Sequence, residues 1–329
     1  MTDKTTVLSD AFGRKIEYLR LSVTDRCDLR CAYCMPKDFD GYEEPANWLS
    51  FDEIERVLRL FASRGLSRVR LTGGEPLLRN RIADLAGRIR AIPGIDDLSL
   101  STNGTQLVKH ARPLKEAGVT RLNVSLDTLQ PARFAAITRR DALKEVLAGL
   151  KTARETGFAP IKINMVWLAG TNDDELEAMI AFCRDGGFIL RLIETMPMGE
   201  TGRNSQFASL QPLMASLKTR FGLIDGLIPG GGPARYLVTP DGKFSVGFIT
   251  PMSQHFCATC NRVRLTVDGM LHLCLGQEDR LDLRQLMRDG ESDESILTAI
   301  QTAIDRKPER HEFSEHPEKI IRVMSSTGG

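Results

Sequence analysis

Between residue 18 and about residue 194, six short runs rich in β-branched residues, YLRLSV, VRLT, LSLST, LNVSLD, IKINMV and FILRLIE, alternate with amphipathic helical patterns. A helix between two strands of one sheet makes a crossover connection, and such crossovers are right-handed. Six units in series predict an α/β chain built as a parallel barrel or partial barrel, a (β/α)6 TIM-like arrangement, with ligands gathered at the carboxyl ends of the strands. An open doubly wound sheet has similar local patterning but collects its ligands at one switch point. The best-marked helix is SFDEIERVLRLFASRG. Ser50 and Glu53 form a capping box, Ile54, Val57, Leu58 and Phe61 make one apolar face, and Gly65 ends it.

After Met196 the rhythm breaks, which predicts a barrel domain over residues 1–195 and an appended domain over 196–329. The second part carries a PGGGP loop, strands around KFSVGFIT and NRVRLTVDG, and one or two helices. There is no GxxxxGK[ST] phosphate loop, so a nucleotide must be held by other means. The net charge of +1 argues against a nucleic-acid partner. The opening MTDKTTVLSDAFGRK lacks a signal-like apolar stretch and no later run is long enough to span a bilayer, so a cytoplasmic protein with no membrane partner is expected. Seven cysteines in a reducing compartment point to metal or redox chemistry, and six of them fall in two tight groups.

Cys27, Cys31 and Cys34 form CDLRCAYC directly after the first strand. A structural zinc site takes four ligands, and no fourth Cys or His lies nearby in the sequence. Three thiolates on one short loop suit a cubane iron-sulfur cluster with one iron left open. After the second strand stands Gly73-Gly74-Glu75-Pro76, where glycine permits a tight turn or a close backbone approach to a ligand.

The CxxxCxxC loop with Tyr33 before its last cysteine, followed by GGEP, resembles the radical S-adenosylmethionine superfamily. That resemblance implies a barrel whose first [4Fe-4S] cluster binds S-adenosylmethionine and splits it, with one electron from a reduced donor, into methionine and a 5'-deoxyadenosyl radical.

Within the strands, polar and charged residues alternate with apolar ones: Arg20 and Ser22, Arg70 and Thr72, Asn123 and Ser125, Lys162 and Asn164, and Arg191. Period-two alternation puts each pair on one face. That face could lie outward under the helices or inward. The inward reading leaves several cations near the carboxyl ends, with Asp127 and Glu194 as the only comparable acids, and calls for an anion such as a triphosphate.

Cys257, Cys260 and Cys274 form the second group, again three thiolates, with His255 or His272 able to complete a zinc site instead. Asn261-Arg262-Val263-Arg264 follows the CxxC, and strand geometry projects both arginines to one side. Taken with STNG at 101–104, NVSLD at 123–127, GGGPARY at 230–236, FCATCNRVR, LHLC and a terminal Gly-Gly pair, the chain resembles the GTP 3',8-cyclases of molybdenum-cofactor biosynthesis from about residue 12 onward.

The resemblance implies a second [4Fe-4S] cluster that binds the base of GTP. It assigns Tyr33, Gly74, Ser125 and Met196 to S-adenosylmethionine, and Arg20, Arg70, Ser101, Lys162, Arg262, Val263 and Arg264 to GTP. The family often has threonine where Ser101 stands. Gly328 and Gly329 are expected to reach the active site, against the default of a frayed tail. The implied reaction removes hydrogen from C3' of GTP, joins C3' to C8, and finishes with an electron and a proton as (8S)-3',8-cyclo-7,8-dihydro-GTP, which a cyclic pyranopterin monophosphate synthase then consumes. A homodimer is implied as well. Another radical enzyme with auxiliary clusters, or a non-catalytic zinc module, stays open on sequence grounds. Cys183 shares a helical face with Leu176, Met179 and Ile180 and reads as core, His110 as surface, and HEFSEH (311–316) as a solvated terminal helix.

Overall fold

A computed structural model describes residues 7–35, 45–228 and 232–328. In chain order it contains β1 (Tyr18–Ser22), α1 (Phe51–Ala62), β2 (Arg68–Thr72), α2 (Ile82–Arg90), β3 (Asp97–Thr102), α3 (Leu107–Glu116), β4 (Arg121–Ser125), α4 (Pro131–Thr138), α5 (Leu143–Glu155), β5 (Ile161–Val166), α6 (Leu176–Gly186) and β6 (Ile189–Ile193). The later elements are α7 (Gly199–Arg203), α8 (Gln211–Phe221), β7 (Ile224–Gly226), β8 (Arg235–Val238), β9 (Ser245–Ile249), β10 (Arg262–Leu265), β11 (Met270–His272), β12 (Arg280–Asp282), α9 (Leu283–Arg288), α10 (Asp293–Asp305) and α11 (Met324–Thr327).

The capping box of α1 forms as its sequence predicts: Ser50 accepts from the Glu53 amide and Glu53 returns the bond to the Ser50 amide. Ile54, Val57, Leu58 and Phe61 are all buried, and each such side chain contributes about 1.5–3 kcal/mol relative to exposure. The helix stops at Ala62 and Gly65 turns the chain at φ 97°. Cys183 is fully buried beside Leu176 and Met179 on α6.

All strands join one 12-stranded sheet in the order β12-β11-β10-β1-β2-β3-β4-β5-β6-β9-β8-β7. The six strands of the sequence rhythm are parallel neighbours. Two strands from beyond residue 196 extend this array in parallel, β10 beside β1 and β9 beside β6. The antiparallel pieces β11-β12 and β8-β7 finish the two edges. Among the described residues the part after residue 196 therefore builds no sheet of its own; its strands extend both sides of the partial barrel.

Apolar strand residues such as Leu19, Leu21, Val69, Leu71, Leu122 and Val124 are fully buried in the main hydrophobic core. The alternate residues face the other way: Arg20, Arg70, Ser101, Asn164 and Arg191 line an internal cavity. The polar face is thus turned inward, as the second of the two sequence readings has it. Its position differs from expectation, since Arg20, Arg70 and Arg191 are each the third residue of a five-residue strand and Lys162 the second of β5. The cations sit at mid-strand and toward the amino ends.

Candidate active site at the two ends of the barrel

The first cysteine loop leaves the carboxyl end of β1 and is held by the turn after β2. Gly73 has φ 148°, and a Cβ on it would meet the Thr24 carbonyl oxygen at 2.3 Å; one on Gly74 would meet that of Arg26 at 2.2 Å. The turn bonds to the same stretch, the Gly74 amide to Thr24 O (2.9 Å) and the Glu75 amide to Arg26 O (2.6 Å). The glycine pair thus allows backbone to lie on the backbone that leads into Cys27.

Glu75 is fully buried. Its carboxylate accepts from Thr102 Oγ1 (2.7 Å), the Asn103 amide (2.6 Å) and the Leu77 amide (3.1 Å). Burial outweighs these donors and pushes its pKa up to about 8. Asn103 Nδ2 then donates to Asp28 Oδ1 at 2.7 Å and points at Cys27 Sγ at 3.7 Å. Thr105 Oγ1 and Arg140 Nη1 donate to Asp28 Oδ2 at 2.7 and 2.8 Å. Asp28, Thr105 and Arg140 carry no motif signal in the sequence; only the neighbouring STNG points here.

Tyr33 donates its hydroxyl to Asp127 Oδ2 at 2.7 Å, while Asp127 Oδ1 accepts from the Val166 amide at 2.8 Å. Ser125 is exposed at the end of β4. Burial pushes the Cys27 and Cys34 thiols up to about 12 and raises Cys31 as well. The backbone amides of Leu29 and Ser325 act against this rise at Cys27 and Cys34.

The second group lies at the opposite end of the array. Cys257 and Cys260 precede β10, which runs parallel to β1, so they stand at the amino ends of strands whose carboxyl ends carry Cys27. Cys274 follows β11, antiparallel to β10, and returns to the same end. A strand length, on the order of 17 Å, lies between the groups. The backbone amides of His311, Arg262 and Gly276 act to lower the three thiols respectively. Burial raises Cys257 and Cys274; at Cys260 burial is outweighed by Lys307, Arg262 and Arg14, which hold the thiol below its ordinary value. His255 is exposed, and His272 is sealed into β11 with its pKa pushed down to about 3 by burial and neighbouring arginines. Among the described residues no three His, Cys, Asp or Glu side chains converge as a single metal ion requires.

Between the groups, one cavity is lined by Cys257, Cys260 and Cys274 together with Arg20, Arg70, Ser101, Arg262, Val263, Arg264 and Met196. Lys162 lies in an adjoining hollow with Arg68, Arg121 and Tyr236, and Arg70 and Arg191 border both spaces. Tyr18, Lys307 and His311 also line the main cavity, and no sequence motif marks them. The sheet register puts Arg264, Arg20 and Arg70 side by side, an arrangement that repels unless an anion sits against it. Burial, then Arg264, lowers the pKa of Arg20; burial brings Arg191 and Arg264 down to about 10. Nε of Arg20 and of Arg262 are buried without a hydrogen-bond partner. An anionic ligand fits these orphaned donors, and three free thiols in each group fit an iron-sulfur cluster.

The tail closes this space. Arg264 Nη1 donates to Gly328 O at 2.6 Å, and Thr327 is fully buried. Gly328 has φ 73°, and a Cβ on it would meet Thr72 Cγ2 at 2.4 Å. Gly329 lies outside the described residues, as do 229–231 of the Gly-rich loop. HEFSEH is no solvated helix: His311 Nε2 bonds to Pro251 O at 2.8 Å, and Phe313 is buried beside it. His110 is half-buried.

The model of the Radical SAM superfamily matches residues 21–183, and that of Molybdenum Cofactor Synthesis C matches residues 188–313. GTP 3',8-cyclase 1 of Pseudomonas aeruginosa is 49% identical over 325 residues, covering 97% of this chain and 98% of its own length. The GTP 3',8-cyclase of Erythrobacter litoralis is 46% identical over 333 residues, covering 98% of each chain. In fold, the chain is similar to Streptococcus suis SuiB bound to S-adenosylmethionine, with a TM-score of 0.61 at 16% identity over 91% of this chain and 68% of that one.

Proposed function

This chain belongs to the GTP 3',8-cyclase family of radical S-adenosylmethionine enzymes, and from that premise we propose that it converts GTP to (8S)-3',8-cyclo-7,8-dihydro-GTP, the first step of molybdenum-cofactor biosynthesis. Its cofactors are two [4Fe-4S] clusters and S-adenosylmethionine. When bound, they supply the one-electron chemistry that removes hydrogen from C3' of GTP and an open iron for the guanine base.

Cys27, Cys31 and Cys34 hold the first cluster, on a loop that Asp28, Asn103 and Glu75 fix from below. Tyr33, Gly74, Ser125 and Met196 hold S-adenosylmethionine. Cys257, Cys260 and Cys274 hold the second cluster. Arg20, Arg70, Ser101, Lys162, Arg262, Val263 and Arg264 hold GTP, with Lys162 and the arginines around it taking the triphosphate. Gly328 reaches toward the reacting sugar and keeps water from it. Residues 1–195 act as the unit that cleaves S-adenosylmethionine, and 196–329 as the unit that selects the base.

A reduced electron donor, a cyclic pyranopterin monophosphate synthase downstream, a homodimer and a cytoplasmic setting complete the reading; among the described residues no helix is long and apolar enough to cross a membrane.

The observation that carries this reading is the row of arginines between two three-cysteine groups, with buried, orphaned Nε donors on Arg20 and Arg262. The test is an anaerobic assay of reconstituted enzyme with S-adenosylmethionine, dithionite and either GTP or ATP, following 5'-deoxyadenosine and the cyclised product. GTP promotes cleavage and yields product in the wild type. In Arg264→Ala, product falls while slow cleavage persists. Cleavage indifferent to GTP, or normal cyclisation by Arg264→Ala, contradicts the assignment.

A further inference from the structure

Lys307 is buried at 2% exposure, just past the end of α10, whose face of Ile296, Ile300, Ala303 and Ile304 is packed in the core. Its Nζ donates to the carbonyl oxygen of Leu273, the residue before Cys274, at 2.5 Å, and this is its single hydrogen bond among the described residues. An ammonium offers three donors, so two remain. No carboxylate pairs with it among the described residues, although burying an ammonium without a counter-charge costs several kcal/mol. The side chain lines the same cavity as Cys257, Cys260 and Cys274 and lies within electrostatic reach of all three sulfurs.

Its position is braced from a distant part of the chain. Arg14, itself buried and paired to Asp10 at 2.6 Å, donates Nη1 to Cys257 O (2.9 Å) and Glu309 O (2.8 Å), and Nη2 to Pro308 O (2.6 Å). One guanidinium therefore clamps the backbone of a cysteine to the two residues following Lys307. A lysine needed only to satisfy the Leu273 carbonyl requires no such brace, since any donor could do that.

We propose that Lys307 is the counter-charge of the second cluster and sets its redox poise. The inference rests on the reading that Cys257, Cys260 and Cys274 hold an iron-sulfur cluster. One-electron reduction adds one negative charge beside a fixed positive one in a low-dielectric setting, where the attraction favours the reduced form. Removing the charge makes that cluster harder to reduce.

The test uses the full chain with Cys27, Cys31 and Cys34 replaced by Ala, so that iron reports on the second group alone. Iron and sulfide per chain are measured first, then the midpoint potential by electron paramagnetic resonance during a dithionite titration. Lys307→Gln keeps a donor for Leu273 O without the charge, Lys307→Met removes both, and Lys307→Arg keeps the charge. The expected result is a more negative midpoint in Lys307→Gln and Lys307→Met at unchanged iron content, with Lys307→Arg near the parent. Full iron loading with the same midpoint in Lys307→Gln overturns the inference and leaves the cluster reading intact. An unloaded parent overturns the cluster reading itself. If Lys307→Met fails to load, Lys307→Gln against Lys307→Arg still decides.

Discussion

Lys162 shows how one side chain can report on its ligand. Burial first, then Arg191, Arg121 and Arg70, bring its pKa down to about 7, whereas a triphosphate placed against it favours the ammonium and raises that value. Below pH 7 both free and GTP-bound protein carry the proton, and the full affinity is present. Above it the free protein loses the proton while the complex keeps it, so affinity falls, by up to tenfold per pH unit for one proton. GTP affinity measured calorimetrically from pH 6.5 to 8.5 is expected to decline in the wild type, with proton uptake on binding, and to be nearly flat in Lys162→Arg. A flat wild-type profile would remove Lys162 from the triphosphate site. The type of residue needed here is legible in the sequence, because an isolated cation alternating with Ile161 and Ile163 has to share a face with Asn164. Its depth along the strand is not, because that depends on register with β4 and β6.

At the scale of elements, the turn after β2 is the most constrained join. The space facing Gly74 is filled by backbone: Arg26 O at 2.2 Å, Arg26 C at 2.5 Å and Asp25 O at 2.8 Å. Backbone cannot swing aside as a side-chain end can, so Gly74→Ala pushes the turn off the cysteine loop. The expected outcome is loss of the first cluster's iron with retention of the second's, read by iron analysis and spectroscopy of the reconstituted protein; a fully loaded variant would show the contact to be pliable. The six-strand rhythm, the cap of α1 and both cysteine groups are readable locally, because each depends on residues within a few positions of one another. The parallel docking of β9 and β10 on opposite sides of the array is not, since RVRL carries no mark of pairing with YLRL. HEFSEH misleads for the same reason: its charges suggest solvent, yet Phe313 and His311 pack with the segment around Pro251.

For the whole molecule, Glu194 is the rivet between the six barrel strands and the chain after residue 196. It is 1% exposed and accepts from the amides of Leu210 (3.0 Å), Met252 (3.1 Å) and Ser253 (3.0 Å), and from the Ser253 hydroxyl. Glu194→Ala strands the buried Leu210 amide and leaves the part-buried Met252 and Ser253 amides unpaired, at the lower end of about 1–3 kcal/mol for each unsatisfied group. Chemical denaturation of the cluster-free protein should show a loss on the order of 3 kcal/mol; a change within about 0.5 kcal/mol, as for an ordinary surface substitution, would mean that water replaces the carboxylate. The pairing of Tyr18 with Arg262 has a kinetic meaning too. β1 acquires its second neighbour only when a segment from the far end of the sequence arrives, so ring-closure entropy is concentrated in a late step and folding is slow. Until then β1 presents an open hydrogen-bonding edge beside Leu19 and Leu21, an invitation to intermolecular pairing. Yield on expression should therefore respond to chaperone supply and growth temperature more than the intrinsic stability of the finished fold would suggest.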